Sequence, residues 1–369
     1  MRLPRPGWKH RGGIIFYVNT DTPIKTNPWL FWFAVLTAFF TFLLLGLGGL
    51  VTSHEAGMSV PDWPTSYGYN MFALPIKFWQ GGAFFEHTHR LLASAVGLMT
   101  TVLAVWLWRR DPRRWMHWLG VIAFLGVVAQ GVLGGLRVTL HMDSLGIFHG
   151  TIAQLFFVLT GALALFTSGF WARLAADRQC LRVPGSLRML VLATTLLVLG
   201  QLILGATMRH QHAGLAIPDF PRAYGAWWPD TSAVALDHYN AQRMSANGEN
   251  PITAFQIELQ LLHRLVALAI FFLVAGCAWQ ARRRLGGKDP LTKLAWGWLA
   301  LILGQVALGA STIWLNKAAD VATAHVLVGA LALMLGALWC ILAFRRSEPS
   351  TEAQPLAAFG AQPVMAANK

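Results

Sequence analysis

Eight uncharged apolar stretches, at roughly 29–52, 90–108, 115–137, 147–171, 188–208, 259–280, 294–314 and 321–344, decide what this chain can fold into. Each is about 20 residues long, the length of helix that crosses the hydrocarbon core of a bilayer. What charge they carry lies at or near their ends, as with Arg90 and Arg264, and their other readily ionisable side chains are histidines. Lipid offers no partner to a backbone N–H or C=O, so such a run must close its hydrogen bonds internally as a helix. The expected fold is an all-α integral membrane protein with eight transmembrane helices. A composition that is 55% hydrophobic and only 12% charged agrees with it.

The basic residues give the topology. Most of the 29 lysines and arginines fall in the N-terminal segment, in RRDPRR (109–114), in the connection around 172–188, in ARRRLGGK (281–288) and in the tail. Positive residues collect on the cytoplasmic side. That rule makes 1–28 a cytoplasmic segment, 172–187 a cytoplasmic linker and 345–369 a cytoplasmic tail, the last rich in Ala, Pro and Ser and expected to be disordered. The first apolar run is too long for a signal-peptide core and has no small-residue cleavage site, so it reads as a retained helix. The net charge of +13 then belongs to one face of a membrane protein whose surface partner is lipid. No basic groove interleaved with aromatics argues for nucleic acid. Cys180 falls in a cytoplasmic connection, and Cys277 and Cys340 fall within helices as small packing residues. None lies on the outer face, which excludes a disulfide there.

An internal repeat organises the whole chain. SHEAGMSVPDWPTSYGY (53–69) follows the first run and HQHAGLAIPDFPRAYGA (210–226) follows the fifth. EHTHRLLA (86–93) matches QLLHRLVA (260–267), QGVLGG (130–135) matches QVALGA (305–310), and HGTIAQL (149–155) matches HVLVGAL (325–331). The chain is therefore expected to form two tandem four-helix bundles, 29–171 and 188–344. Each unit crosses the membrane an even number of times, so the pair runs in one direction and should be related by a pseudo-twofold along the membrane normal.

Each repeat places two histidines near the outer ends of two helices, His89 with His149 and His263 with His325. An imidazole at membrane depth is costly and suggests a ligand. Two neutral imidazoles on opposite sides of a planar macrocycle would make a bis-histidine haem. Zinc is less attractive, because no carboxylate or thiolate stands at ligand spacing. Gly134, Gly135 and Gly150 in the first unit, and Gly309 and Gly329 in the second, leave room for a flat ligand or for close helix packing. Arg90 and Arg264 directly follow two of the histidines, to pair with haem propionates or to snorkel to lipid phosphate. Glu86 stands one turn before His89, where the second unit has Gln260. A carboxylate at one site only suggests that the sites work differently, with proton handling or charge stabilisation at the first. Asp62 and Asp219 are expected to fix tight turns in the long outer loops. His54, His87, His117, His141, His210, His212 and His238 default to solvated positions.

GGLVTSHEAGMSVPDWP, Glu86-x-x-His89-Arg90, His149, Gln260-x-x-His263-Arg264 and His325 together resemble the haem A synthase family across about 29–344. The resemblance implies oxidation of the C8 methyl of haem O to a formyl group through a hydroxymethyl stage, giving haem A for cytochrome oxidase. It implies that His89 and His149, with Glu86, hold the substrate haem O, and that His263 and His325 hold a permanent haem b that passes electrons. It also implies a multi-pass protein of a bacterial plasma membrane, working beside haem O synthase and the cytochrome c oxidase assembly machinery. Some bacterial members carry a cysteine pair in the first outer loop; this chain has none there, so it belongs with the branch lacking it. An electron-transferring membrane b-type cytochrome, serving quinol and a partner, would also pair histidines across a bundle, but it gives no reason for a carboxylate at one haem only. Whether copies associate into a homo-oligomer is not written in the sequence.

Overall fold

A computed structural model describes residues 26–142, 144–176, 182–247 and 251–346. The described residues form the helices α1 (Pro28–Ser53), α2 (Gly81–Arg110), α3 (Arg114–Thr139), α4 (Leu145–Thr167), α5 (Gly169–Ala176), α6 (Gly185–His210), α7 (Ala233–Asn247), α8 (Ala254–Leu285), α9 (Pro290–Trp314) and α10 (Ala319–Arg345), joined by turns and two long loops. Eight of these, all but the short α5 and the polar α7, are long and apolar enough to cross a membrane. Local chemistry sets several starts. Asn27 Oδ1 accepts from the N–H of Trp29 at 3.0 Å, with Pro28 in the first turn. Thr253 and Gln256 form a reciprocal capping box at α8, and Asp289 caps α9 ahead of Pro290. Such caps satisfy amide donors that the helix itself leaves open.

Two helices start well before their apolar runs. The runs predict starts near 90 and 259, whereas α2 begins at Gly81 and α8 at Ala254. Hydropathy sees only what faces lipid, and the early turns of both helices are polar because the preceding loop folds over them. Glu86, His89 and Arg90 thus lie inside a helix and not at its entrance. The second long loop also carries α7, which its polar composition does not announce. Residues 1–25, Cys180 and the residues from 347 onward lie outside the described residues.

In each half the helices pack in a ring. α1 packs on α2, α2 on α3, α3 on α4 and α4 back on α1; α6, α8, α9 and α10 repeat the cycle. The first half is filled by Leu30, Val96, Leu103, Met116 and Leu163, the second by Leu187, Val274, Trp298, Leu333 and Trp339. The halves meet through α4 against α10, α1 against α10 and α4 against α6. Lipid tails are as apolar as leucine, so helices in a bilayer associate through close contact and polar bonds. Gly46 accordingly faces Leu327, Gly49 faces Thr323, and Gly161 faces Met334 across the junction. Arg209 of α6 ties the halves together by donating to Gly49 O and Ser53 Oγ of α1, both at 2.6 Å.

At the end opposite the long loops each half closes with an Asp-Pro turn. Arg113 bonds Asp111 through Nη2 at 2.6 Å, and Arg346 makes two bonds to Asp289 at 2.9 and 2.8 Å. Gly336 of α10 marks the tightest interior approach in the second half, where a methyl group would stand 2.7 Å from the Trp298 ring and 2.8 Å from Thr195 Oγ1. Gly336→Leu should cost about 1–3 kcal/mol of overpacking and lower the melting midpoint in detergent. Gly97→Ala, at a position with no neighbour within 4 Å, should leave it unchanged.

Candidate functional site

The two long loops fold back onto α2 and α8 by one design. In the first, Asp62 accepts from the N–H groups of Tyr67 at 2.6 Å and Gly68 at 2.8 Å; in the second, Asp219 does the same for Tyr224 at 2.7 Å and Gly225 at 2.8 Å. Tyr67 and Tyr224 send their hydroxyls back to Ser59 O and Ala216 O, and the Trp63–Pro64 and Phe220–Pro221 peptides are cis. These turns present Val60 and Ile217, both wholly buried, to the helices. Glu86 accepts from Val60 N–H at 2.8 Å, where Gln260 accepts from Ile217 N–H at 2.5 Å.

One ionisable group separates the two anchors. Glu86 is 4% exposed, and its second oxygen accepts from Arg90 Nη2 at 2.7 Å. Gln260 instead donates to Gly214 O at 3.1 Å and Ile217 O at 3.3 Å. The arginines are committed to the loops. Arg90 donates to the carbonyls of Val60, Asp62 and Thr65 at 2.9, 2.6 and 3.1 Å. Arg264 donates to those of Arg222, Asp219 and Ile217 at 2.9, 2.8 and 3.4 Å. A loop folded over a helix carries carbonyls that need donors, and a five-donor guanidinium supplies several at once. Loss of Arg90 with Glu86 kept would leave a buried uncompensated carboxylate, costing about 3–5 kcal/mol.

The four histidines share one setting. A methyl group on Gly48 would stand 3.2 Å from Cε1 of His89, on Gly134 3.4 Å from that of His149, on Gly205 3.3 Å from that of His263, and on Gly309 3.1 Å from that of His325. Each ring is therefore pressed against helix backbone, at a position where the lack of a side chain makes the room. Nδ1 of all four is buried, and the backbone of Leu44, Gln130 and Gln305, one turn before Gly48, Gly134 and Gly309, lies beside the rings of His89, His149 and His325 as a hydrogen-bond acceptor. In the second half Gln201 and Gln305 donate to the carbonyls of His263 and His325 at 2.8 and 2.9 Å, fixing the backbone behind the rings.

The pairs meet as the repeat predicts. His263 and His325 have ring centres 6.4 Å apart at an interplanar angle of 60°, and His89 lies within electrostatic range of His149. Two imidazoles binding one metal at ~2 Å from opposite sides, with ~1 Å from nitrogen to ring centre, give a separation of about 6 Å. Among the described residues no three His, Cys, Asp or Glu side chains come together to cage a metal ion. A metal held by two nitrogens must bring its remaining ligands with it, as a porphyrin does. The donor set fits haem.

Other predicted residues fall as follows. His54, His141, His212 and His238 are exposed. His87 is not solvated: it is 1% exposed, with both ring nitrogens unbonded and Trp79 edge-on at 4.7 Å, because the early start of α2 turns it under the first loop. His210 is packed against Gly146 of α4, and His117 Nε2 bonds Asp111 O at 2.7 Å. Gly135 receives the ring of Trp63 and Gly329 faces Leu202 and Gln305, while Gly150 has no neighbour within 4 Å. Sequence reasoning missed Gly48 and Gly205, although they occupy one position of the repeat. It also passed over Arg137, which ends an apolar run and acts electrostatically on both His89 and His149.

The sequence profile of the COX15-CtaA family, described as cytochrome oxidase assembly protein, matches residues 31–337. A heme A synthase of Rhizorhabdus wittichii is 28% identical over 355 residues, covering 86% of this chain and 93% of that protein. One from Lysinibacillus sphaericus is 25% identical over 324 residues, covering 85% and 94%. Human heme A synthase COX15 is 28% identical over 349 residues, covering 81% of this chain and 78% of its own length.

Burial alone would raise the Asp62 carboxyl, but hydrogen bonds from Thr65, Gly68 and Tyr67 outweigh it and hold the group below the ordinary value of 3.8. A depressed folded value means that the ionised carboxylate stabilises the loop fully above 3.8 and that this contribution is lost as pH falls through the lower folded value. Limited proteolysis across 60–69 should therefore be equally slow at pH 5 and pH 7 in the native chain. Asp62→Asn should be cut faster at both, since an amide replaces one of the two acceptor oxygens with a donor.

Proposed function

We infer that this chain, which belongs to the COX15-CtaA family, is a haem A synthase that oxidises the C8 methyl of haem O to a formyl group through a hydroxymethyl stage. The observation that carries the reading is a paired-imidazole site built twice on glycine cradles, with a buried carboxylate beside only one of the two. His89 and His149, on α2 and α4, would hold the substrate haem O. His263 and His325 would hold haem b, which supplies one-electron redox capacity from a neighbouring bundle. A b-type cytochrome that only relays electrons gives no use for Glu86 opposite Gln260.

Each residue's task follows from its surroundings. The histidines orient the substrate, because a ring wedged against Gly48 or Gly134 cannot swing. Arg90 and Arg264 hold the loops folded over α2 and α8, and would thereby keep water from the bound porphyrins. Trp63, seated on Gly135 beside the cradle of His149, would cover one side of the first site with its indole. Glu86 would stabilise positive charge developing at the substrate carbon or take its proton, and in a low-dielectric pocket a fixed carboxylate acts strongly on such charge. The bundles 29–171 and 188–344 would be the substrate and haem b units. With both termini cytoplasmic, the long loops and both sites lie toward the outer side of a cell membrane. The substrate would come from haem O synthase and the product would go to cytochrome c oxidase assembly.

Extraction of haem from the purified protein, made in cells that produce haem O, should yield haem b with haem O or haem A; haem b alone would favour the cytochrome. Glu86→Gln recreates the anchor that Gln260 provides in the second half, so the loop and haem binding should survive. Conversion to haem A should fall by roughly 100-fold or more, read from the ratio of extracted haems. Full conversion in that variant would remove Glu86 from the chemistry.

A further inference from the structure

We propose that Arg137 binds a carboxylate of the porphyrin in the first site, so that the substrate is gripped at its acidic edge as well as at its iron. The proposal rests on the reading of His89 and His149 as a porphyrin site. Arg137 stands in the last turn of α3, three residues after Gly134, and so on the face that cradles His149. Its charge reaches both imidazoles, whereas that of Arg90 reaches only His89 of the two. Gly57 in the first long loop admits the guanidinium: a methyl group there would stand 2.7 and 2.8 Å from its two terminal nitrogens.

The arginines that follow the histidines in sequence serve the loops. Arg90 gives both terminal nitrogens to Glu86 and to loop carbonyls, and Arg264 gives its own to the second loop. A haem carries two carboxylates on one edge, and at the margin of a bilayer a carboxylate needs a cation or water. A guanidinium meets it with two parallel charge-assisted bonds. The second half lacks this group. Thr312 stands at the position of Arg137 and bonds Leu308 O of its own helix at 2.8 Å, while Gly214, the counterpart of Gly57, faces the Lys317 stem at 4.0 Å. The first site is thus built to hold a porphyrin acid by a fork that the second does without.

The test is an absorption titration of the purified full chain carrying His325→Ala, which disables the second pair, with iron protoporphyrin and with its dimethyl ester. Arg137→Gln should weaken binding of the free acid roughly tenfold and leave the ester unchanged. Arg137→Lys should recover part of the acid preference and supplies the comparison should Arg137→Gln not accumulate. Lys317→Gln should change neither. Equal weakening of acid and ester, or no change in their ratio, overturns the proposal while the site reading stands. Failure of the parent to bind either porphyrin overturns the site reading itself.

Discussion

A polar ring inside a lipid-embedded bundle is stable only if something fixes it, and here the fixing element is helix backbone. Each of the four imidazoles is pressed against a glycine of a neighbouring helix, with Nδ1 buried. A side chain at any of these glycines would push the ring off its axis, and burying a polar ring at membrane depth is costly. The chain bears that cost four times at matched positions, on helices otherwise filled with leucine, valine and alanine. Paired, inward-facing imidazoles are the gain. The glycines thus carry the site as much as the histidines do, although they contribute no donor atom.

Duplication explains how one arrangement comes to hold two sites, and divergence explains how they differ. The loop that follows α1 and the loop that follows α6 keep the same aspartate turn, the same tyrosine hydroxyl bond and the same amide offered to the helix. Beside the sites the halves differ in Glu86 against Gln260, Arg137 against Thr312, and Trp63 on Gly135 against Phe220 near Trp314. The first two changes add charge to the first site. A shared backbone frame lets those substitutions occur without refolding, because the amide and the carboxylate both accept the same loop N–H.

Much of this was legible in the sequence, for physical reasons that also mark where reading failed. Length and lack of charge announce a spanning helix, so eight helices and their pairing into repeats could be read directly. The histidine pairs followed from the repeat. The starts of α2 and α8 did not, because turns shielded by a loop are as polar as the loop itself. The same blindness sent His87 to solvent when it lies buried under Trp79. Gly48 and Gly205 stood at one repeat position and could have been found by comparing the halves residue by residue. Nothing local announced the part played by Arg90: its bonds run to carbonyls some 25 to 30 residues earlier in the chain, and only the fold brings them together.

The buried Glu86–Arg90 pair is the point where stability and chemistry meet. As a structural link it is poorly economical, since a neutral amide makes an equivalent loop anchor at Gln260 with no charge to desolvate. Arg90 is more deeply buried than Arg264, and Glu86 gives it a counter-charge; under the proposed function the same charge serves the first site. Arg90 keeps that charge in place, and the loop carbonyls around the guanidinium share the cost of holding it. A developing cation beside Glu86 would meet an anion already oriented and already desolvated, so little reorganisation would be needed as the reaction proceeds.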